Sequence, residues 1–208
     1  MNIDHKIAQL LVSRVCHDLA GGVSAVSTGA ELLSEDQSMI DENALNVIAL
    51  SARQCASRLA FFRVAFGLGG GDNDTITSDE LKTIVQNYLE GGRISLVWAT
   101  ENRRVGLMAA KLLMNLVLMA CESLPKGGVL EIGIAEIGDK LGFAVSARGD
   151  GAQFRPGIVG AARLDCDPMD LNARTVHAHF AAVLAVSLEA EMEIQGDAEG
   201  EIRLAALV

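Results

Sequence analysis

The sequence is organised around Ser13-Arg14-Val15-Cys16-His17-Asp18-Leu19-Ala20-Gly21-Gly22, which lies within a long helical pattern near the N-terminus. At 100° per residue, apolar side chains recur on one face of this helix. That narrow stripe contains Ile7, Leu11, Val15, Leu19, Val26 and Leu33, with Gly22 and Gly29 between them. His17 falls almost opposite the stripe, so the spacing predicts an imidazole on the outer face of the helix.

Small side chains surround His17 on this outer face. They are Ser13, Ala20, Gly21 and Ser24. A surface histidine beside an aspartate is common without any function, but a ring of small residues leaves room for another protein's backbone. Glycine inside a helix costs roughly 0.5–1 kcal/mol relative to alanine. The internal glycines Gly21, Gly22 and Gly29 therefore need a reason, such as close helix packing or the close approach of a partner.

Composition narrows the class of protein. The chain has 208 residues, half of them hydrophobic, which predicts one large or two small domains. A net charge of −10 disfavours nucleic acid as a partner. No apolar run reaches membrane-spanning length and the N-terminus lacks a secretory pattern, so we expect a cytoplasmic protein away from membranes. The cysteines show no CxxC spacing, which favours reduced core or near-core thiols over a metal site. They are Cys16, Cys55, Cys121 and Cys166.

The first 70 residues predict an antiparallel helical hairpin, with helices at 3–34 and 39–66 and a polar turn between them. The second helix carries its own apolar stripe of Leu45, Ile48, Ala52, Cys55, Leu59, Phe62 and Phe66. Two helices alone cannot cover both stripes. The economical solution is a four-helix bundle built by two copies of the chain. The alternative is a monomer in which the C-terminal half covers the hairpin.

A glycine-rich stretch at 67–74 is the clearest linker, and it divides the chain into domains at 1–70 and 71–208. Thr77 and Glu80 have the spacing of a capping box, which predicts a helix beginning there. Further helices are predicted at 104–124 and 171–187, and strands at 94–98, 129–136, 141–146, 191–195 and 201–207. This alternation predicts an α/β sandwich with helices on one face, and an α+β fold for the whole chain.

Four short segments carry a resemblance to known families: 17–26, 112–118, 124–128 and 147–151. Their order resembles sensor histidine kinases, in which a dimerisation and histidine-phosphotransfer hairpin precedes an ATP-binding domain of the Bergerat type. The closer resemblance is to the ChpT-like histidine phosphotransferases of bacterial phosphorelays, and it covers essentially the whole chain. It implies that the C-terminal domain is a degenerate form of the kinase ATPase domain.

Departures from the kinase pattern bear on nucleotide binding. Active kinases of this type carry two asparagines four residues apart, of which the second holds the magnesium ion. Asn115 matches the first position, but Met119 stands at the second, and a thioether is a poor ligand for a hard cation. Ala147 replaces the aspartate that reads adenine, and Asp150 is three residues out of register. The segment 172–177 offers no glycine-rich nest for phosphates. We therefore expect no cofactor and no metal bound by this chain.

The resemblance implies a phosphotransferase of two-component signal transduction that becomes a phosphoprotein at His17. The imidazole would accept a phosphoryl group from a receiver-domain aspartate and pass it to another, with the receiver supplying Mg²⁺ and a lysine. The implied partners are receiver domains of a hybrid histidine kinase and of response regulators. We expect Asp18 to accept a hydrogen bond from the ring. We expect docking on Ser13, Arg14, Ala20, Gly21 and Ser24.

The sequence leaves several interpretations open. Arg14, one turn before His17, steadies the phosphate or the receiver, or it is an ordinary solvated helix charge. Arg58 is likewise a solvated charge or a docking residue, and metal binding by His177 with His179 is disfavoured because the two lie on different helix faces. The chain as a whole is a phosphotransferase, an active histidine kinase, or a non-enzymatic regulator that docks receiver domains.

Overall fold

Two long helices pack against each other as an antiparallel hairpin, as the sequence predicts. In the computed structural model, which describes residues 5–35, 42–67, 74–196 and 200–208, α1 spans His5–Glu35 and α2 spans Glu42–Phe66. Two glycines explain the close approach of the helices. A Cβ atom on Gly22 would lie 2.4 Å from Sγ of Cys55, and one on Gly29 would lie 2.4 Å from Cγ1 of Ile48. A larger residue at Gly22 or Gly29 would therefore force the facing side chain of α2 to move.

The C-terminal part begins with a small two-stranded sheet. Strand β1, Thr75–Thr77, pairs antiparallel with β3, Arg104–Gly106. Between them lie α3, Ser78–Leu89, and β2, Ile94–Ala99. The predicted capping box is confirmed, because Oγ1 of Thr77 accepts from the backbone N–H of Glu80 while the Glu80 carboxylate accepts from the backbone N–H of Thr77.

A five-stranded sheet forms the main layer of this domain. Its remaining strands are β4, Gly128–Ile137, β5, Lys140–Arg148, β6, Glu191–Gly196, and β7, Glu201–Leu207. The spatial order is β2-β4-β5-β7-β6, and only the β2–β4 pair is parallel. The remaining helices are α4, Leu107–Glu122, α5, Ile158–Ala162, and α6, Val176–Ser187.

The core lies between the sheet and α4, which is buried over almost its whole length because its sequence is apolar all round. Helix α6 packs beside α4, and the C-terminal end of α2 packs on α4 and α3. The ring of Phe61 stacks on Tyr88 at 4.2 Å between ring centroids. The C-terminal part thus covers one end of the hairpin, as in the monomeric alternative.

The rest of the hairpin keeps an uncovered apolar seam, which we call the hairpin seam. It consists of Val12, Val23, Leu45 and Leu59. These side chains are between 46% and 63% exposed. The single chain therefore covers only part of the apolar surface of its two long helices.

Some sequence predictions are wrong at element boundaries. The helix predicted to start at 104 starts at Leu107, because 104–106 forms β3 with β1. The helix predicted from 171 starts at Val176, because Asn172 and Thr175 exchange hydrogen bonds in a turn. Cys16, expected near the core, is exposed. Most of the predicted linker lies outside the described residues, so the domain boundary at 70 stays a prediction.

Candidate functional site

His17 projects from the outer face of α1, as its position opposite the apolar stripe predicts. Its side chain is 85% exposed. Ring atom Nδ1 lies 3.2 Å from Oδ1 of Asp18, in hydrogen-bonding distance. Since a carboxylate accepts only, Nδ1 is the donor in this contact. The other ring nitrogen, Nε2, belongs to a side chain that is mostly exposed and is accessible to a partner.

The predicted ring of small residues surrounds this imidazole. Ser13, Ala20, Gly21 and Ser24 are all exposed. A Cβ atom added to Gly21 would meet no atom within 4 Å, so nothing inside this chain requires glycine there. Gly21 thus differs from Gly22, whose place is fixed by α2, and it leaves an open surface next to His17.

Arg14 is buried, so the reading of it as a solvated helix charge is wrong. Its guanidinium forms an ion pair with Oε1 of Glu122, at the end of α4, and lies 3.4 Å through Nε from Oδ2 of Asp18. It also contacts Nδ1 of His177 at 3.1 Å. Arg14 therefore connects the helix that carries His17 with two helices of the C-terminal part.

Burial dominates the electrostatics at the far end of this contact. The pKa of His177 is held well below its ordinary value, first by burial and then by the charges of Arg14 and Arg155. Because arginine can only donate, Nδ1 of the neutral His177 accepts from Arg14 and its proton resides on Nε2. That Nε2 lies 3.7 Å from Oε2 of Glu122. His177 is thus a buried structural partner of Arg14.

A cleft opens between α1 and the C-terminal part beside His17, with a volume of about 600 Å³. Arg58, Arg155 and Arg174 line it together with the His17 face of α1. Arg58 is exposed and donates to the backbone carbonyl of Asp18 at 2.6 Å. Several cations thus border the imidazole in a chain whose net charge is −10.

The position that matches a kinase asparagine serves a different purpose here. The Asn115 side chain is fully buried, and its amide donates to the carbonyls of Ala65 and Lys111, each at 2.9 Å. Lys111, one turn earlier, donates to the carbonyl of Gly67 at 2.6 Å. Carbonyls at the end of a helix lack partners within that helix. Asn115 and Lys111 therefore cap the C-terminal end of α2.

The remaining kinase positions do not fit a magnesium nucleotide. Met119 is 2% exposed and Ala147 is fully buried, so both form apolar core where oxygen ligands would be needed. Asp150 is on the surface and binds Lys126 at 2.6 Å. In the segment 172–177, the carbonyl of Ala173 lies against the guanidinium of Arg14 at 3.4 Å. These residues offer neither the metal ligand nor the adenine acceptor.

Sequence reasoning missed Glu122 and gave His177 no structural role. Glu122 ends a helix whose other residues are apolar except Lys111 and Asn115, and a carboxylate at that place indicates a cationic partner. The pairing with Arg14 bridges 108 positions of sequence. No local spacing identifies which cation it is.

Comparisons with known proteins agree with this architecture. Residues 78–200 match the family model described as the histidine phosphotransferase C-terminal domain. Because this match covers more than half of the chain, the protein belongs to that histidine phosphotransferase family.

Two individual proteins are similar over almost their full length. Protein phosphotransferase ChpT of Brucella abortus (strain 2308) is 26% identical over 193 residues, which is 93% of this chain and 91% of ChpT. A solved structure described as a bacterial phosphotransferase superposes with a TM-score of 0.85 at 25% identity, covering 99% of this chain and 98% of the other. Among the described residues, no helix is long and apolar enough to cross a bilayer.

Proposed function

We propose that this protein relays a phosphoryl group between receiver-domain aspartates through phosphohistidine at His17. The observation that carries the proposal is the exposed imidazole whose Nδ1 faces Asp18 while Nε2 stays open to solvent. The family, and the similarity to a phosphotransferase named ChpT, support the same assignment. The partners are receiver domains of a hybrid histidine kinase and of response regulators.

The chemistry is an in-line phosphoryl transfer. The Nε2 lone pair attacks phosphorus of the aspartyl phosphate, a P–N bond forms, and the P–O bond to the aspartate breaks to release a carboxylate. The ring gains positive charge, which the Asp18 carboxylate stabilises from Nδ1. The reverse sequence delivers the phosphoryl group to the second receiver. Such transfer depends mainly on positioning and charge neutralisation, and the receiver contributes Mg²⁺.

The proposed docking surface is the exposed small-residue face of α1 formed by Ser13, Ala20, Gly21 and Ser24. Small side chains allow the receiver's phosphorylated aspartate to reach Nε2 at bonding distance. The exposed guanidinium of Arg58 supports an anionic partner, because it borders the same face. Arg14 acts from beneath this surface, through Asp18.

We further infer that the protein has no ATP-dependent autokinase activity. The reason is structural: Asn115 is engaged by the end of α2, and Met119 and Ala147 are core residues. Met119 and Ala147 carry no side-chain oxygen for a magnesium ion or an adenine amino group, and the side-chain oxygen of Asn115 is buried.

We propose that two copies form a four-helix bundle along the hairpin seam. The seam runs along both long helices, and it stays exposed although the C-terminal part covers the Phe61 end of α2. Large apolar side chains left exposed along two packed helices indicate a protein contact. In a two-fold arrangement each seam covers its copy, and both His17 rings remain outside.

Reconstitution with purified receiver domains tests the function. A phosphorylated receiver is mixed with this protein, and transfer of label to His17 and then to a second receiver is followed on gels. We expect transfer in both directions and an acid-labile, base-stable phosphoryl group. Labelled ATP with Mg²⁺ and no receiver should leave the protein unlabelled.

The same experiment separates the other readings. Label from ATP without a receiver would identify an active kinase. Receiver binding without any transfer, unchanged in His17→Ala, would identify a non-enzymatic docking regulator.

A further inference from the structure

A continuous polar chain leads from the buried interior to the reactive imidazole. It runs from His177 and Glu122 to Arg14, from Arg14 to Asp18, and from Asp18 to His17. Both interior members belong to the C-terminal part, which otherwise lacks a chemical role in phosphotransfer. The reactive end is 85% exposed, whereas Arg14 and His177 are buried.

The buried members are incompletely satisfied in the described structure. Nε of Arg14, Oε2 of Glu122 and Nε2 of His177 are all buried without a hydrogen-bond partner among the described residues. Stability alone does not explain such a group, because apolar residues of similar size often replace a buried ion pair without loss. A positioning role does explain the group, because removing one of its side chains changes the electrostatic interaction of Arg14 with Asp18.

Arg14 is the connecting element, and its geometry is over-determined. One of its terminal nitrogens is held by Glu122, and the other by His177 and the carbonyl of Ala173. Its Nε lies 3.4 Å from Oδ2 of Asp18, which is an ion pair without hydrogen-bond geometry. A guanidinium is planar, so fixing its two terminal nitrogens also fixes the direction of Nε. The remaining oxygen of Asp18, Oδ1, is the one that faces Nδ1 of His17.

We propose that Glu122 and His177 are positioning residues for phosphotransfer. Through Arg14 they hold Asp18 in the orientation that keeps the His17 proton on Nδ1 and the lone pair on Nε2. The C-terminal part thereby sets the reactivity of a histidine that it does not touch. This inference rests on the proposed function for its kinetic consequence, while the tautomer of His17 is independent of it.

The test is Glu122→Gln, which keeps the shape of the side chain and removes its charge. We expect uptake from saturating phosphorylated receiver to slow about three- to tenfold, with the half-saturating receiver concentration unchanged. Nitrogen NMR of the His17 ring should show the proton moving from Nδ1 towards Nε2. The matched control is Glu131→Gln, which removes a carboxylate bound to Arg148 at 2.7 Å on the sheet, away from α1.

A double-mutant cycle with Asp18→Asn identifies the route of the effect. If Glu122 acts through Asp18, adding Glu122→Gln to Asp18→Asn slows uptake no further. If the rate of the double variant falls by the product of the two single effects, the proposal is overturned, because Glu122 then acts without Asp18. A folded Glu122→Gln variant with the wild-type rate and tautomer would also overturn it.

Variants of His177 keep the test decisive if Glu122→Gln does not fold. His177→Asn retains a side-chain acceptor for Arg14 and should keep a near wild-type rate and tautomer, whereas His177→Leu should not. Equal behaviour of these two variants contradicts the proposal. Failure of the proposed function is recognised separately, because the wild type would then take up no phosphoryl group while the NMR comparison still reports on positioning.

Discussion

The outer face of α1 and the inner face of α4 form an instructive contrast. On α1, His17 is ringed by small exposed residues, and the adjacent cleft is bordered by arginines. On α4, the positions that resemble kinase nucleotide ligands are filled by core packing and by the cap of α2. The two faces thus differ in exposure. Another molecule can reach His17, whereas core packing closes the positions on α4 that resemble kinase ligands.

Replacing His17 tests whether the exposed imidazole is the reactive group, and this substitution should have the largest effect. We expect His17→Ala to lower phosphoryl uptake from a labelled receiver by at least about 10³-fold, because no other group supplies the nucleophile. The fold should be unchanged, since the side chain is 85% exposed. His5→Ala, on the same helix and also exposed, is the matched control and should retain full uptake. Residual labelling of the His17 variant would assign the phosphoryl group to another residue.

The second half of the contrast is tested by restoring kinase residues to the core. We expect Met119→Asn and Ala147→Asp each to lower the free energy of unfolding by about 1–3 kcal/mol, because each buries an unpaired polar group. Neither should create ATP binding. Denaturant unfolding and equilibrium dialysis with labelled ATP measure the two outcomes.

Exposed positions supply the controls for these variants. Ala144→Asp lies on β5 like Ala147 but points outward, and Val186→Asn lies on the exposed face of α6. Both should leave stability almost unchanged. ATP binding by a folded Met119→Asn variant would show that the site on α4 is still open.

Much of this contrast could be predicted from the sequence, because it depends on local patterns. The helical period placed His17 outside, and the Thr77 cap was a short-range signal. The sequence showed that the internal glycines need a reason, but it did not separate helix packing at Gly22 and Gly29 from the approach of a partner at Gly21. Pairing between distant segments could not be predicted. The three-residue β1 and β3 have no period of their own, and Glu122 meets Arg14 only in the folded chain. Asn115 has the residue type of the kinase position, but its amide binds the carbonyls of Ala65 and Lys111, and residue type alone does not identify those partners.

The C-terminal part does not cover the hairpin seam. Charges placed on the seam should therefore weaken the association of two copies. We expect Val23→Glu and Leu59→Glu each to raise the dimer dissociation constant by at least about 100-fold, because a two-fold interface buries every added charge twice. Light scattering over a dilution series measures the mass. Val97→Glu, at a position that is 45% exposed on β2, is the control and should leave the mass unchanged. A wild-type monomer at all concentrations would contradict the bundle.

Lowering the pH should lower the free energy of unfolding through His177, the buried partner of Arg14. The pKa of His177 is depressed in the folded state, so the unfolded chain binds the proton more readily. Stability is therefore fully present well above pH 6.5, the ordinary value, and this single group removes at most about 1.4 kcal/mol per pH unit below it. His177→Asn should flatten the pH dependence of the unfolding free energy between pH 6.5 and 5.5. An identical slope in the variant and the wild type would show that burial and the charges of Arg14 and Arg155 do not keep His177 unprotonated.

The smallest effect separates the two adjacent glycines on α1. Alanine at position 21 should stabilise the fold by about 0.5–1 kcal/mol, because it improves helix propensity and its Cβ meets no atom within 4 Å. Alanine at position 22 should destabilise it, because its Cβ would lie 2.4 Å from Sγ of Cys55. Denaturant midpoints measured side by side give both signs.

Phosphoryl uptake should respond to Gly21→Ala and Gly22→Ala in a different order from stability. Gly21→Ala narrows the surface that the receiver approaches, so uptake should fall although the fold is more stable. Residual activity in the Gly22→Ala variant should instead follow its folded fraction. If Gly21→Ala gains stability without losing uptake, the receiver does not approach His17 over this residue, and the small-residue ring is not its contact. If the Gly21→Ala variant gains stability and loses uptake, glycine at position 21 lowers the stability of the helix but allows the receiver to approach His17.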